Sequence, residues 1–207
     1  MYKIWHGSDT YTLVYWANLN SAYTNCYNPS NACEAGITDT QGCISGSYKG
    51  TYNSTYFNVI AYEWNGTTGC GGINRVAQLS PMLFAPYNKW VMITDVLNYG
   101  SSNAVMICVD SSCGSNPFGI EGYPDNYSTA TTLIMGTNQA NGKIANVQLY
   151  DTALSSTQIK TLYEEGYAGI PVTTNGLVAW LPLDGNANDY SGNNNNGIPT
   201  NVNWVSP

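Results

Sequence analysis

Apolar, β-branched and aromatic residues gather in short runs along this chain, and polar clusters separate the runs. Tyr11–Ala17, Tyr56–Tyr62, Trp90–Val96, Ala104–Val109 and Thr131–Met135 each have the composition of a β-strand. Lys143–Tyr150 alternates. It places Ile144, Asn146, Gln148 and Tyr150 on one face, and Ala145, Val147 and Leu149 on the other. Gly, Asn, Ser and Pro clusters between the runs supply turns. Many short strands with polar turns predict an all-β fold, an antiparallel sandwich of two sheets.

The period changes once, near the C-terminal side. Ser155-Ser156-Thr157-Gln158 fits a capping box, in which Ser155 and Gln158 each satisfy the other's backbone N–H. Leu154, Ile159, Leu162 and Tyr163 then recur at helical spacing, and Gly166 is placed to close the helix in the left-handed region. So short a helix must pack on a sheet. Ile170–Asn175 reads as a connector. Beyond it Leu177, Ala179, Leu181 and Leu183 form one apolar set, and Val178, Trp180 and Pro182 another, so this strand needs cover on both faces. Asn193–Gly197 is a loop, and Asn201–Val205 has the pattern of one more short strand.

Composition narrows the class. The 207 residues suffice for one domain with a substantial core. Only 9% are charged, and the formal charge of −7 with scattered lysines argues against a nucleic-acid partner. Six cysteines point to an oxidising compartment. Cys108 and Cys113 flank Val109–Ser112 and can staple a hairpin; Cys26–Cys33 and Cys43–Cys70 are the expected remaining pairs, among many connectivities. With one histidine and no C-x-x-C pair, a zinc site is the weaker reading. Asn53, Asn65 and Asn126 open N-glycosylation sequons, which suit an extracellular surface. No apolar run is long enough to span a membrane, so no membrane insertion is expected. No signal peptide precedes Tyr2, so Met1 is expected to be an added start or the chain a mature fragment.

Two stretches resemble the laminin G-like, or concanavalin A-like, jelly-roll family. Gly142–Tyr163 looks like that family's closing strand and helix: a glycine, an alternating strand ending in Tyr, then Ala-Leu-Ser and a helix carrying Ile and Leu-Tyr. Tyr11–Asn18 and Pro86–Trp90 resemble an early strand and the turn into a central one, whereas Cys26–Gly72 matches no part of the pattern. Gly176–Gly192 resembles the family's opening strand and its Asp-Gly-Asn loop, yet here it comes last. The resemblance implies a jelly roll over residues 1–170, a linker at 171–175 and a displaced strand segment at 176–207. Three arrangements follow. The strand closes its own sandwich, or it is donated to the next molecule and builds a filament, or it begins a further domain. Donation is the expectation carried forward, with Leu177, Val178, Ala179, Trp180, Leu181 and Leu183 as donor residues and identical subunits joined head to tail as partners.

Chemistry in the chain is sparse. Asp184, Asn186, Asn188 and Asp189 offer hard oxygen donors, and the family resemblance makes calcium a candidate there; the alternative is an ordinary Asn/Asp/Gly turn. No cofactor is required. Glu63 stands alone and Glu164 and Glu165 are neighbours on a helix, so no carboxylate pair for glycoside hydrolysis is evident; His6 lacks a nucleophile partner. No catalytic residue is expected. Glycans are the rival partners. Most of the six tryptophans fall in strand runs, but Tyr23, Tyr27, Tyr48, Tyr52 and Trp64 lie near the cysteine-rich insert and can stack on sugars. The expected function is a non-enzymatic extracellular filament or surface-layer subunit, by analogy one of an archaeal surface, and the alternative is a carbohydrate-binding or adhesive module.

Overall fold

The computed structural model describes residues 10–20, 34–39, 45–49, 55–62, 83–98, 105–116, 133–135 and 142–205. Eleven strands and one helix occur among them, in the order β1 Thr10–Leu19, β2 Glu34–Asp39, β3 Ser45–Lys49, β4 Tyr56–Tyr62, β5 Leu83–Pro86, β6 Val91–Asn98, β7 Val105–Val109, β8 Ser112–Asn116, β9 Leu133–Met135, β10 Gly142–Tyr150, α1 Ser156–Glu165 and β11 Leu177–Leu181. They form two sheets, a six-stranded one in the order β11-β10-β1-β6-β7-β8 and a five-stranded one in the order β5-β4-β3-β2-β9. Every pairing is antiparallel. The fold is the β-sandwich that the pattern predicts, with one short helix.

The alternation of β1 builds two cores. Leu13, Tyr15, Ala17 and Leu19 join Phe57 and Ala85 of the opposing sheet between the two layers. Val14 and Trp16 point the other way and are covered by Leu154, Ile159 and Leu162. A central strand that is apolar on both sides thus finds a sheet on one face and α1 on the other. Thr12, fully buried among the apolar residues, pins the entry to α1. Its hydroxyl donates to the Thr152 carbonyl at 2.7 Å and accepts from the Leu154 N–H at 2.9 Å. The capping box is present as read: Ser155 Oγ accepts from the Gln158 N–H, and the Gln158 side chain accepts from the Ser155 N–H. A cap of this kind stabilises a helix by about 1 kcal/mol. Gly166 closes α1 at φ 77° but with an extended ψ of −176°, so the expected left-handed cap is replaced by a sharper exit.

Three readings of the pattern are corrected. The face assignment of β10 breaks at Asn146, where Trp16 pairs with Ala145 but Val14 pairs with Gln148. The extra residue makes a bulge, which Asn146 accommodates with a φ of 47°. Ile144 therefore joins Val147 and Leu149 in the inter-sheet core, and Ala145 moves to the helix side. β11 slips likewise: Leu149 pairs with Ala179 and Tyr150 with Leu177, so Leu177 turns toward the helix-side core, away from Ala179 and Leu181. Asn201–Val205 forms no strand; its residues are exposed.

The last strand closes its own sheet. Leu177–Leu181 pairs with Val147–Tyr150 of the same chain, and Ala179 and Leu181 are buried in the inter-sheet core, with Leu183 packed against it. This is the first of the three arrangements. Within the single chain, α1 and the Ile170–Asn175 connector bring the strand back antiparallel to β10. Cys108 and Cys113 form the expected disulfide across the β7–β8 hairpin, with Cα atoms 4.0 Å apart. Closing so short a loop adds only a modest chain-entropy contribution. Cys26, Cys33, Cys43, Cys70, Asn53, Asn65 and Asn126 lie outside the described residues. No described helix is long and apolar enough to cross a membrane.

Candidate functional site

The Asn- and Asp-rich loop after β11 is built around one carboxylate. Asp189 Oδ1 accepts from the Trp180 N–H at 2.9 Å and the Ser191 N–H at 2.8 Å, and Oδ2 accepts from Ser191 Oγ at 2.9 Å and the Asn195 N–H at 2.8 Å. Burial pushes the Asp189 pKa up, but the hydrogen bonds from Trp180, Ser191 and Asn195 outweigh it and hold the carboxyl below the usual carboxylate range. The loop then folds over the outer edge of β11. The Tyr190 N–H donates to the Trp180 carbonyl at 2.8 Å. The amides of Asn193 and Asn195 donate to the Val178 carbonyl at 3.0 and 2.8 Å, and Asn193 also reaches the Leu177 carbonyl at 2.9 Å. An edge strand with its backbone groups taken in this way is a poor template for another strand.

Two of the four residues expected to bind calcium have their side-chain oxygens engaged within the loop. The Asp189 oxygens face N–H and O–H donors, which need the lone pairs a cation would need. Asn186 Oδ1 accepts from the Asn188 N–H at 2.8 Å, and its Nδ2 lies 3.3 Å from the Asp184 carbonyl. Asp184 is exposed. The side chains of Asp189 and Asn186 are thus engaged within the turn itself. Among the described residues, no group of three or more His, Cys, Asp and Glu side chains gathers for a metal.

On this loop stands an exposed aromatic pair. Tyr190 is 54% exposed, and its ring meets that of Trp180 edge to face, with centroids 6.0 Å apart. Trp180 is anchored from below, where its indole N–H donates to Asn146 Oδ1 at 3.0 Å. Asn146 belongs to a buried polar chain along β10: Tyr150 donates to Gln148 at 2.7 Å, Gln148 donates to Asn146 at 3.1 Å, and Asn146 donates to the Gly169 carbonyl at 2.8 Å. The Asn186 amide lies 3.5 Å from the Tyr190 hydroxyl. The result is a backed aromatic face in an amide-rich rim that also carries the Asp184 and Asp189 carboxylates. Such a surface offers stacking and hydrogen bonding to an uncharged polar ligand.

Sequence reading missed this pair as a site, although an isolated Tyr among Asn and Asp is a usable signal. A second aromatic group, Trp16, Trp90, Tyr163 and Tyr167, packs ring on ring beside α1, with Trp90 and Tyr167 stacked at 5.6 Å. Trp16 is buried, and the other three rings are half-buried. Of the residues expected to face a ligand, Tyr23, Tyr27, Tyr52 and Trp64 lie outside the described residues, as do Glu63 and His6; Tyr48 falls within β3. Glu164 pairs with Lys160 one helical turn away, as a solvated helix face does.

No family model and no curated protein sequence matches the chain. Solved structures do match. A Bacteroides ovatus protein assigned as carbohydrate binding aligns with a TM-score of 0.57 at 17% identity, over 89% of this chain and 50% of that one. A receptor binding domain aligns at 0.51 with 13% identity, over 76% of this chain and 35% of that one. A variant of HCR/D aligns at 0.50 with 12% identity, over 77% and 38%. The shared property is the β-sandwich fold, and this chain spans half or less of the length of each. Two of these neighbours, the Bacteroides ovatus protein and the receptor binding domain, are binding proteins by description.

Proposed function

We propose that this chain is an extracellular, non-enzymatic module that binds carbohydrate. The observation that carries the reading is the exposed Tyr190 ring, braced by Trp180 and set among asparagine side chains at the rim of the sandwich. Sugar rings present C–H faces for aromatic stacking and hydroxyls for amide hydrogen bonds, and this rim supplies both. The fold shared with a carbohydrate-binding protein supports the same reading. The disulfide supports an oxidising location. Filament assembly by donation of Leu177–Leu181 is the weaker reading, because that strand is paired on one edge and capped by the loop on the other.

A glycan array probed with the whole chain tests the proposal. Binding to a defined set of glycans is expected, and Tyr190→Ala is expected to weaken it by roughly two- to tenfold, the order of one stacked aromatic contact. The thermal midpoint should hardly move, since the Tyr190 ring is half in solvent. A blank array, or undiminished binding by the Tyr190→Ala variant, overturns the assignment.

A further inference from the structure

Asp95 is a carboxylate in the middle of the sandwich. It lies on β6 in the alternating set of Val91 and Ile93, both members of the inter-sheet core, opposite Leu13 on β1 and Ile107 on β7. It is 2% exposed, and among the described residues neither of its side-chain oxygens has a hydrogen-bond partner. The titratable groups of the surrounding core are the phenols of Tyr11, Tyr15 and Tyr87; among the described residues that core holds no Lys, Arg, His or second carboxylate. Nothing there compensates a negative charge. A buried ionised carboxylate without a partner is far costlier than a buried neutral one.

We propose that Asp95 makes the packing of the two sheets acid-dependent: protonated, it sits between them, and ionised, it loosens them. Burial pushes its pKa from the ordinary 3.8 up to about 7. Between those values the folded chain holds a proton that the unfolded chain has released. Folding stability therefore falls as pH rises through this window, and below it Asp95 contributes no pH dependence. The device favours a compact module in acidic surroundings and a looser one above neutrality.

Urea unfolding of the whole chain across this pH range, beside Asp95→Asn and Asp95→Leu, tests the idea. Relative to Asp95→Asn, the wild-type unfolding constant is expected to rise by up to about tenfold per pH unit between the two pKa values. Both variants should lose this slope, because all other carboxylates cancel in the comparison. Identical pH profiles for wild type and variants overturn the proposal. If neither variant folds, carbon NMR of the wild-type Asp95 carboxyl decides: a midpoint near neutrality supports the device, and one in the ordinary aspartate range overturns it.

Discussion

Asp189 shows how one side chain can organise a loop that contains little else of regular structure. It takes four donors, three of them backbone N–H groups, and one of those belongs to the edge strand. Hydrogen bonds to a charged acceptor contribute more than neutral ones, so Asp189→Ala should cost about 2–3 kcal/mol and release the loop from β11. Denaturant unfolding measures the loss, and hydrogen exchange at the Trp180 amide should accelerate with it. An unchanged midpoint would show that the loop is held by its asparagines instead. Asn146 does a different job. At the bulge it adopts a φ that Asn tolerates and most residues avoid, and its side chain joins Gln148, Trp180 and the Gly169 carbonyl. Residue type was legible at both positions. Their partners were not, because Asn146 and Trp180 are 34 positions apart.

At the scale of elements, the strands β1, β4, β6, β7 and β10 and the helix α1 could be read from local pattern, and the capping box gave the helix start to the residue. β2 and β3 could not. Glu34–Asp39 and Ser45–Lys49 have few β-branched or aromatic residues, and their pairing with each other and with β4 and β9 holds them extended. The bulges in β10 and β11 were equally hidden, since periodicity assumes an unbroken pleat. The strongest prediction here concerns β11. Deleting residues 176–207 removes the strand that covers Val147 and Leu149 and leaves the edge of β10 bare. The truncated chain should aggregate, as size-exclusion chromatography with light scattering would show. A soluble monomer of unchanged thermal midpoint would instead mean that the segment belongs to a following unit.

At the scale of the molecule, three carboxylates among the described residues set an optimum. Asp189, with its lowered pKa, stabilises the fold above the ordinary carboxylate range, and that contribution is lost as pH falls through its folded value. Asp95 acts in the opposite sense, as does Asp110, whose pKa burial raises against a hydrogen bond from the Met92 N–H. Stability should therefore peak near the ordinary carboxylate range and decline from there to about 7, and a thermal-midpoint profile over pH reads this directly. A midpoint still rising above neutrality would contradict the balance. The same wide view separates two kinds of information. Sequence by itself determined the class of fold, the strands with strong alternation, the capped helix and the Cys108–Cys113 staple, because each depends on neighbours a few residues away. Only the tertiary structure decided that the last strand closes its own sheet, that the asparagine loop seals that strand's edge, that Tyr190 rests on Trp180, and that Asp95 faces a core without a partner among the described residues. Each of these follows from which distant segments meet and in what register, and neither is encoded in local period or composition.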